Sequence, residues 1–303
     1  MQSLGGTGAL MLGAALIKKA GFGGGVIFVP DPTWGNHHQI FEEHGFKVES
    51  YPYYRSDTRR ADSKAAKAFF EGLCQNSVVL LHTVCHNPTG ADFSMKEWRD
   101  IAEIFRERRL VPFFDFAYQG FKEGIEADRE PMKLFIENGC YVLIASSFSK
   151  NASLYSKRTG ALTVVAGSEG EASKVEGALK RVARTRYSNP PSDGALIVRE
   201  ILRSDELRKL WEEEVSQMRE RIKETRRRFA LELKKLGLDG SFVTDQHGIF
   251  SYTPLTPSEV QELEERGVFM LPSGRISIAG LNIRNIPTVA KHIAEVSKGW
   301  PKI

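Results

Sequence analysis

From Gly25 to Gly167, short β-branched runs alternate with amphipathic stretches, and this alternation restricts the fold more than any other feature of the chain. Val26–Pro30, Lys47–Tyr53, Ser77–Thr83, Val111–Phe116, Tyr141–Ser147 and Ala161–Ala166 read as strands. Between several of them lie helical patterns such as Lys96–Arg108, where Trp98, Ile101, Ile104 and Phe105 recur at helical spacing. The runs Val78-Val79-Leu80-Leu81 and Val111-Pro112-Phe113-Phe114 are apolar without alternation, as strands covered on both faces must be. The pattern predicts an α/β fold: a mostly parallel sheet with helices on both faces.

After Ser188-Asn189-Pro190-Pro191 the character changes. Ser204 is placed to cap a long helix, with Asp205 and Glu206 at the positive end of its dipole. Leu207, Leu210, Trp211, Val215, Met218 and Ile222 form one apolar stripe, and Gly237 is the stop signal. Such a helix would run roughly 45 Å, enough to bridge two domains. Its basic residues Arg219, Arg221, Lys223, Arg226, Arg227 and Arg228 are interleaved with glutamates, which predicts a solvated face rather than a nucleic-acid surface. Gly248–Tyr252, Val268–Leu271 and Arg275–Ala279 read as strands of a small α+β segment, with a last helix after Ile286. The expected division is a large α/β domain over residues 1–206, then the long helix and a smaller C-terminal α+β domain over 207–303. The chain opens almost directly on Gly5-Gly6-Thr7-Gly8 and an apolar helix from Ala9 to Lys19, which predicts that an N-terminal part is missing.

Composition excludes several classes of function. The formal net charge of the 303 residues is only +4, and the basic residues are spread along the chain, unlike a dedicated nucleic-acid binder. No apolar run reaches the ~18 residues of a membrane span, and no signal-peptide pattern opens the chain. Cys74, Cys85 and Cys140 are odd in number and lack metal-ligand spacing, so neither a disulfide framework nor a metal site is expected. A soluble protein of a reducing, cytoplasmic compartment is the expectation. Gly23-Gly24-Gly25 precedes a strand instead of following one, which rules out the dinucleotide fingerprint and a nicotinamide dehydrogenase.

The chemistry-bearing residues fall at one place in the pattern. Trp34 follows the first predicted strand and Asn87 the third; Asp115 and Tyr118 end the fourth, and Lys150 follows the fifth. Ligands of open α/β sheets bind outside the carboxyl ends of the strands, so these five converge where a ligand would lie. Lys150 follows a buried strand, and a lysine in apolar surroundings can lose its proton and form a Schiff base with an aldehyde. Asp115 ends an almost wholly apolar strand and wants a cationic partner, for which a protonated pyridine nitrogen serves well. Gly6-Thr7-Gly8 at a helix start offers N–H groups to an anion, and Ser147, Ser149 and Arg158 could add phosphate donors. Taken singly, a lysine after a strand is usually a surface residue and a glycine run usually a cap; the combination is what points to a site. His82 and His86 are four apart, roughly 13 Å on an extended strand, which argues against a shared metal and for a buried hydrogen-bonding role of His82. Cys85 reads as a small buried side chain.

These motifs resemble those of aspartate aminotransferases, in the class I, fold type I group of pyridoxal-phosphate enzymes. The resemblance is carried by Gly5-Gly6-Thr7-Gly8-Ala9-Leu10, Asp31-Pro32-Thr33-Trp34-Gly35-Asn36-His37 and Cys85-His86-Asn87-Pro88-Thr89-Gly90. It continues in family order through Phe114–Gly120, Ser146–Asn151, Tyr187–Pro191 and Ser273-Gly274-Arg275. The resemblance implies pyridoxal 5'-phosphate as cofactor, Lys150 as the Schiff-base lysine and proton shuttle, and Asp115 as partner of the pyridinium nitrogen. It implies that Tyr118 and Asn87 bond the cofactor's phenolic oxygen, that Trp34 stacks on its ring, and that His82 supports Asp115 from behind. Gly6, Thr7, Ser147, Ser149 and Arg158 match the phosphate cup. Arg275 matches the arginine that grips the substrate α-carboxylate, with Trp34 and Asn87 beside it, and Arg184 the one that reaches a second carboxylate from the neighbouring subunit of a homodimer.

The implied activity is ping-pong transamination between L-aspartate and 2-oxoglutarate, its partners being small dicarboxylic amino acids and 2-oxo acids. An aromatic or broad-specificity aminotransferase shares these motifs, and a truncated, non-catalytic cofactor binder is the alternative of a different class. Departures are Gly5 where many relatives carry Ser, the stretch Ala152–Lys157, and a family chain longer by roughly 100 residues at its start. Any mitochondrial transit peptide would lie in that extra part.

Overall fold

The computed structural model describes residues 1–303. Eleven strands occur in chain order: β1 (Gln2–Leu4), β2 (Val26–Asp31), β3 (Lys47–Pro52), β4 (Tyr54–Arg55), β5 (Arg60–Ala61), β6 (Val78–His82), β7 (Val111–Phe116), β8 (Val142–Ser147), β9 (Thr159–Val165), β10 (Phe250–Tyr252) and β11 (Arg275–Ser277). The helices are α1 (Gly5–Ala20), α2 (Asn36–Glu43), α3 (Ser63–Glu71), α4 (Met95–Arg108), α5 (Glu130–Glu137), α6 (Glu169–Arg186), α7 (Asp193–Arg203), α8 (Asp205–Lys235), α9 (Ser241–Asp245), α10 (Pro257–Glu265) and α11 (Ile286–Val296).

Seven strands form one sheet in the order β1-β9-β8-β7-β6-β2-β3. β3, β2, β6, β7 and β8 are mutually parallel, and β9 runs antiparallel to both its neighbours. The unalternating apolar runs are explained by two cores, one on each face. Along β6 the side chains divide by the pleat: Val79 and Leu81 join one core, Val78 and Leu80 the other. Helix α1 lies so close to the sheet that a Cβ on Gly13 would fall 2.3 Å from Phe113 Cζ. Helix α4 begins with a reciprocal cap between Ser94 and Glu97, as its Ser-x-x-Glu sequence predicts.

β10 and β11 pair antiparallel as a separate two-stranded sheet. Ser204 caps α8 by accepting from Leu207 N, and Gly237 follows the helix with φ +77°. No helix is long and apolar enough to cross a membrane.

Three sequence expectations are corrected here. Val268–Leu271 is not a strand: Val268 N donates to Leu263 O and Leu271 N to Arg275 O, so its backbone closes local turns instead of a ladder. The apolar stripe of α8 is buried only from Trp211 onward, with Leu207 and Leu210 exposed. Arg226, expected on a solvated face, is 2% exposed. Phe229 and Leu233 continue the buried side of α8 past Ile222, and Arg226 lies on that side.

Candidate active site

The strand order puts the carboxyl ends of β2, β6, β7 and β8 side by side, and the residues that follow them surround one cleft. Gly6, Thr7, Trp34, Asn87, Asp115, Tyr118, Lys150 and Arg275 all line it, together with Leu10, Ala117, Tyr155 and Phe250. Its cavity volume is about 200 Å³. Arg275, at the start of β11, comes from the other end of the sequence and donates from Nη1 to Asn87 Oδ1 at 2.9 Å. Arg184 is not part of this cleft; it is exposed near the end of α6 and donates to Ser188 Oγ.

Lys150 is largely buried and has no carboxylate within ion-pair distance. Its Nζ lies 4.7 Å from the centre of the Tyr118 ring and 5.8 Å from that of Tyr155. Burial lowers its pKa, Asp115 opposes the shift, and Arg158 adds to it, leaving a net lowering. That favours the neutral, nucleophilic amine.

Asp115 is 7% exposed. Burial raises its pKa, but the hydrogen bond from His37 and the nearby His82 and Lys150 overcome this, so the carboxyl is held below its ordinary value. The hydrogen bond runs from His37 Nε2 to Asp115 Oδ2 at 3.0 Å, while Thr33 Oγ1 lies 2.7 Å from His37 Nδ1. With one ring nitrogen facing Asp115 and the other facing the Thr33 hydroxyl, the ring is held in orientation from both sides. His37 is thus a site residue that the sequence reading passed over, although it lies three residues after Trp34. Its partner is 78 positions away in sequence.

His82, expected to support Asp115, is the weaker neighbour. Parallel register sets it opposite Asp115, but its Nε2 is 3.7 Å from Oδ2 and neither ring nitrogen has a hydrogen-bond partner. The expected separation of His82 and His86 is also corrected, since their ring centres are 4.5 Å apart. β6 ends at His82, and Cys85 takes φ +56°, which turns the chain back. Burial lowers the pKa of His82 to about 4 and that of His86 well below its ordinary value. Below about pH 6.5 the unfolded chain therefore binds protons that the folded chain refuses, down to about pH 4 for His82. Stability should fall as pH drops through that window, by about 3 kcal/mol from His82 alone. Melting temperatures between pH 7 and 4.5 would check this: a His82→Asn variant should flatten the slope, and an unchanged slope would refute it.

The start of α1 forms an anion cradle. A Cβ on Gly5, which has φ +69°, would come within 2.8 Å of Arg158 Nη2, and one on Gly6 within 3.2 Å of Ser147 Cβ. Ser147 Oγ donates to Ser149 Oγ at 3.1 Å. Arg158, itself at φ +50°, donates only to the carbonyls of Tyr155 and Leu4, so no protein carboxylate neutralises it. Helix N–H groups, two hydroxyls and a free guanidinium suit a phosphate dianion. Asp115, which lines the same cleft, suits a protonated ring nitrogen, and Lys150, which also lines it, suits an aldehyde. Pyridoxal phosphate fits these residues.

The comparisons agree with that chemistry. The family model "Aminotransferase class I and II" matches residues 1–293. An aspartate aminotransferase of Pseudomonas aeruginosa is 42% identical over 298 residues, covering 97% of this chain and 75% of that one. An aromatic-amino-acid aminotransferase of Escherichia coli is 40% identical over 301 residues, covering 98% of this chain and 75% of its own. Among solved structures, an aromatic-amino-acid aminotransferase from Burkholderia pseudomallei, covalently bound to pyridoxal phosphate, superposes with a TM-score of 0.94. It is 44% identical, and the match covers 98% of this chain and 75% of that one. With relatives this similar along nearly its whole length, this chain belongs to the class I and II aminotransferases, pyridoxal-phosphate-dependent enzymes of transamination.

Proposed function

We propose that the enzyme moves the amino group between L-aspartate and 2-oxoglutarate, as a homodimer. The observation that supports action on an amino acid is Arg275, a half-buried guanidinium lining the same cleft as Lys150 without a protein carboxylate of its own, and the dicarboxylate reading rests on Arg184. A free guanidinium held edge-on by Asn87 is ready to form a bidentate pair with a substrate α-carboxylate. Arg184 is likewise free of any carboxylate, and its exposure leaves it available to the second carboxylate of a substrate bound in the partner subunit.

In this scheme residues 1–206 hold the cofactor and residues 207–303 bring Arg275 to the substrate. Bound pyridoxal phosphate supplies the electron sink that stabilises the charge left at Cα. Arg275 fixes the substrate so that its Cα–H faces Lys150, and the Lys150 amine removes that proton. Gly6, Thr7, Ser147, Ser149 and Arg158 hold the phosphate, Asp115 with His37 keeps a proton on the ring nitrogen, and Tyr118 and Asn87 bond the phenolic oxygen. Trp34 covers the ring face.

A preference for aromatic substrates is the second reading, favoured by Trp34, Tyr118, Tyr155 and Phe250 around the cleft and by the aromatic-amino-acid aminotransferases among the relatives. The visible spectrum of the protein loaded with pyridoxal phosphate separates the two. Aspartate should bleach the band that depends on Lys150, and 2-oxoglutarate should restore it. A band bleached by phenylalanine and indifferent to aspartate would overturn the proposal. Arg184→Ala should lower kcat/KM for aspartate by roughly 100-fold, the worth of a lost bidentate charge pair, and leave phenylalanine nearly unchanged. Light scattering that found a clean monomer still active on dicarboxylates would remove that role of Arg184.

A further inference from the structure

Arg226 is a cation sealed inside the protein with no carboxylate beside it. It is nearly inaccessible, and burial lowers its pKa to about 10, so it remains charged at neutral pH. Its whole fork is spent on one short segment. Nε donates to Gly248 O at 3.2 Å, and Nη1 to Val243 O at 2.8 Å and Ser251 Oγ at 2.7 Å. Nη2 donates to the carbonyls of His247 at 3.1 Å, Gly248 at 2.7 Å and Phe250 at 2.5 Å. A buried guanidinium is costly, and a leucine at this helical position would fill the core at less expense. What the charge achieves is the shape of the segment.

That segment reaches the active site by two routes. His247 N donates to Gly90 O at 2.7 Å, and a Cβ on Gly90 would lie 2.6 Å from Phe250 O. A Cβ on Gly248 would lie 2.5 Å from Cys85 Cβ. The segment therefore presses, without clearance, on the 85–90 loop that carries Asn87. It also carries Phe250, whose ring centre lies 4.1 Å from the Arg275 guanidinium. Arg275 is thus held between Phe250 and Asn87, and both supports take their position from backbone that Arg226 clips.

We propose that Arg226 is a positioning residue for carboxylate recognition, setting the plane of the Arg275 guanidinium through the 243–251 segment. This rests on the reading of Arg275 as the grip for the substrate α-carboxylate. Only a planar five-donor fork can serve these acceptors; a lysine has three donors and leaves carbonyls unpaired.

Succinate, a dicarboxylate without an amino group, isolates binding from chemistry. Its affinity would be measured by calorimetry on the full chain loaded with pyridoxal phosphate. Arg226→Lys should weaken succinate about tenfold, as expected for a misaligned bidentate pair, while the Lys150-dependent band and its pH titration stay as in the wild type. Phe250→Leu should weaken it similarly, and the double variant should be no weaker than the worse single one. Additive losses, or a lowered melting temperature with succinate affinity unchanged, would show a purely structural role and overturn the proposal. Should Arg226→Lys fail to fold, Ser251→Ala removes one acceptor of the clip and should weaken succinate two- to threefold; unchanged affinity would overturn it equally. Arg275→Lys separates the two layers. Wild-type binding lost in that variant but intact in Arg226→Lys defeats this proposal alone, whereas binding indifferent to Arg275→Lys defeats the grip and this proposal with it.

Discussion

Lys150→Ala should abolish transamination, with kcat falling on the order of 10⁴-fold or more. The size follows from how few groups could replace the lost amine. Tyr118 lies beside the amine, its ring centre 4.7 Å away, and burial, with Asp115 adding to it, raises the phenol's pKa and keeps it protonated. His82 and His86 are neutral bases, but neither lines the cleft. The cradle of Gly6, Thr7, Ser147, Ser149 and Arg158 does not involve the Lys150 amine, so the variant should still take up pyridoxal phosphate while losing the band of the lysine adduct. Small primary amines added to the variant should restore part of the rate, because they supply a base of similar strength to the vacated space. Single-turnover kinetics with aspartate would check both statements. Activity within tenfold of the wild type would mean that another group removes the Cα proton.

How much of this was legible before the structure depends on the range over which each residue is determined. Val78-Val79-Leu80-Leu81 announced a doubly covered strand because burial on two faces leaves no room for polar alternation. Asp115 and Lys150 were legible for a related reason: a charge at the end of an apolar strand is anomalous in its own neighbourhood, and the connection rules of parallel sheets collect such anomalies at one edge. Residues fixed by distant partners were not legible. His37 looks like any histidine in the first turn of a helix until Asp115 is placed against it. Arg226 looks like its exposed neighbours Arg227 and Arg228 until the 243–251 carbonyls close around it. The folding-back of His86 onto His82 depends on a positive φ at Cys85, a conformation a non-glycine residue seldom announces. Val268–Leu271 failed in the opposite sense, since its composition suits a strand but its backbone hydrogen bonds close local turns, to Leu263 O and Arg275 O, instead of a ladder.

Asp115→Asn is the second change with a large expected effect; in the proposed scheme it acts on the ring nitrogen's proton where Lys150 acts on Cα. The carboxylate is buried, carries its charge at neutral pH, and shares one oxygen with His37. An opposite charge at this range favours a protonated partner by up to ~3 pKa units, or about 4 kcal/mol. The amide carries no charge, so a ring nitrogen facing it would lose that stabilisation, and kcat should fall roughly 10³-fold. Cofactor uptake should weaken much less, because the phosphate cradle is untouched. His37→Asn should produce a graded version of the same defect. Without the His37 hydrogen bond one of the interactions holding the Asp115 pKa down is lost and that pKa would rise, so the acid limb of the kcat profile should move to higher pH. The sign distinguishes this from simple damage to the fold, which would lower activity at every pH without moving the limb. If His37→Asn moved the limb to lower pH or left it in place, Asp115 would not be the group whose ionisation His37 secures. The pair is best measured together: in an Asp115→Asn background, His37→Asn should cost almost nothing further in kcat, since its hydrogen bond would no longer steady a charge. A full additional loss there would mean that His37 acts on the reaction independently of Asp115.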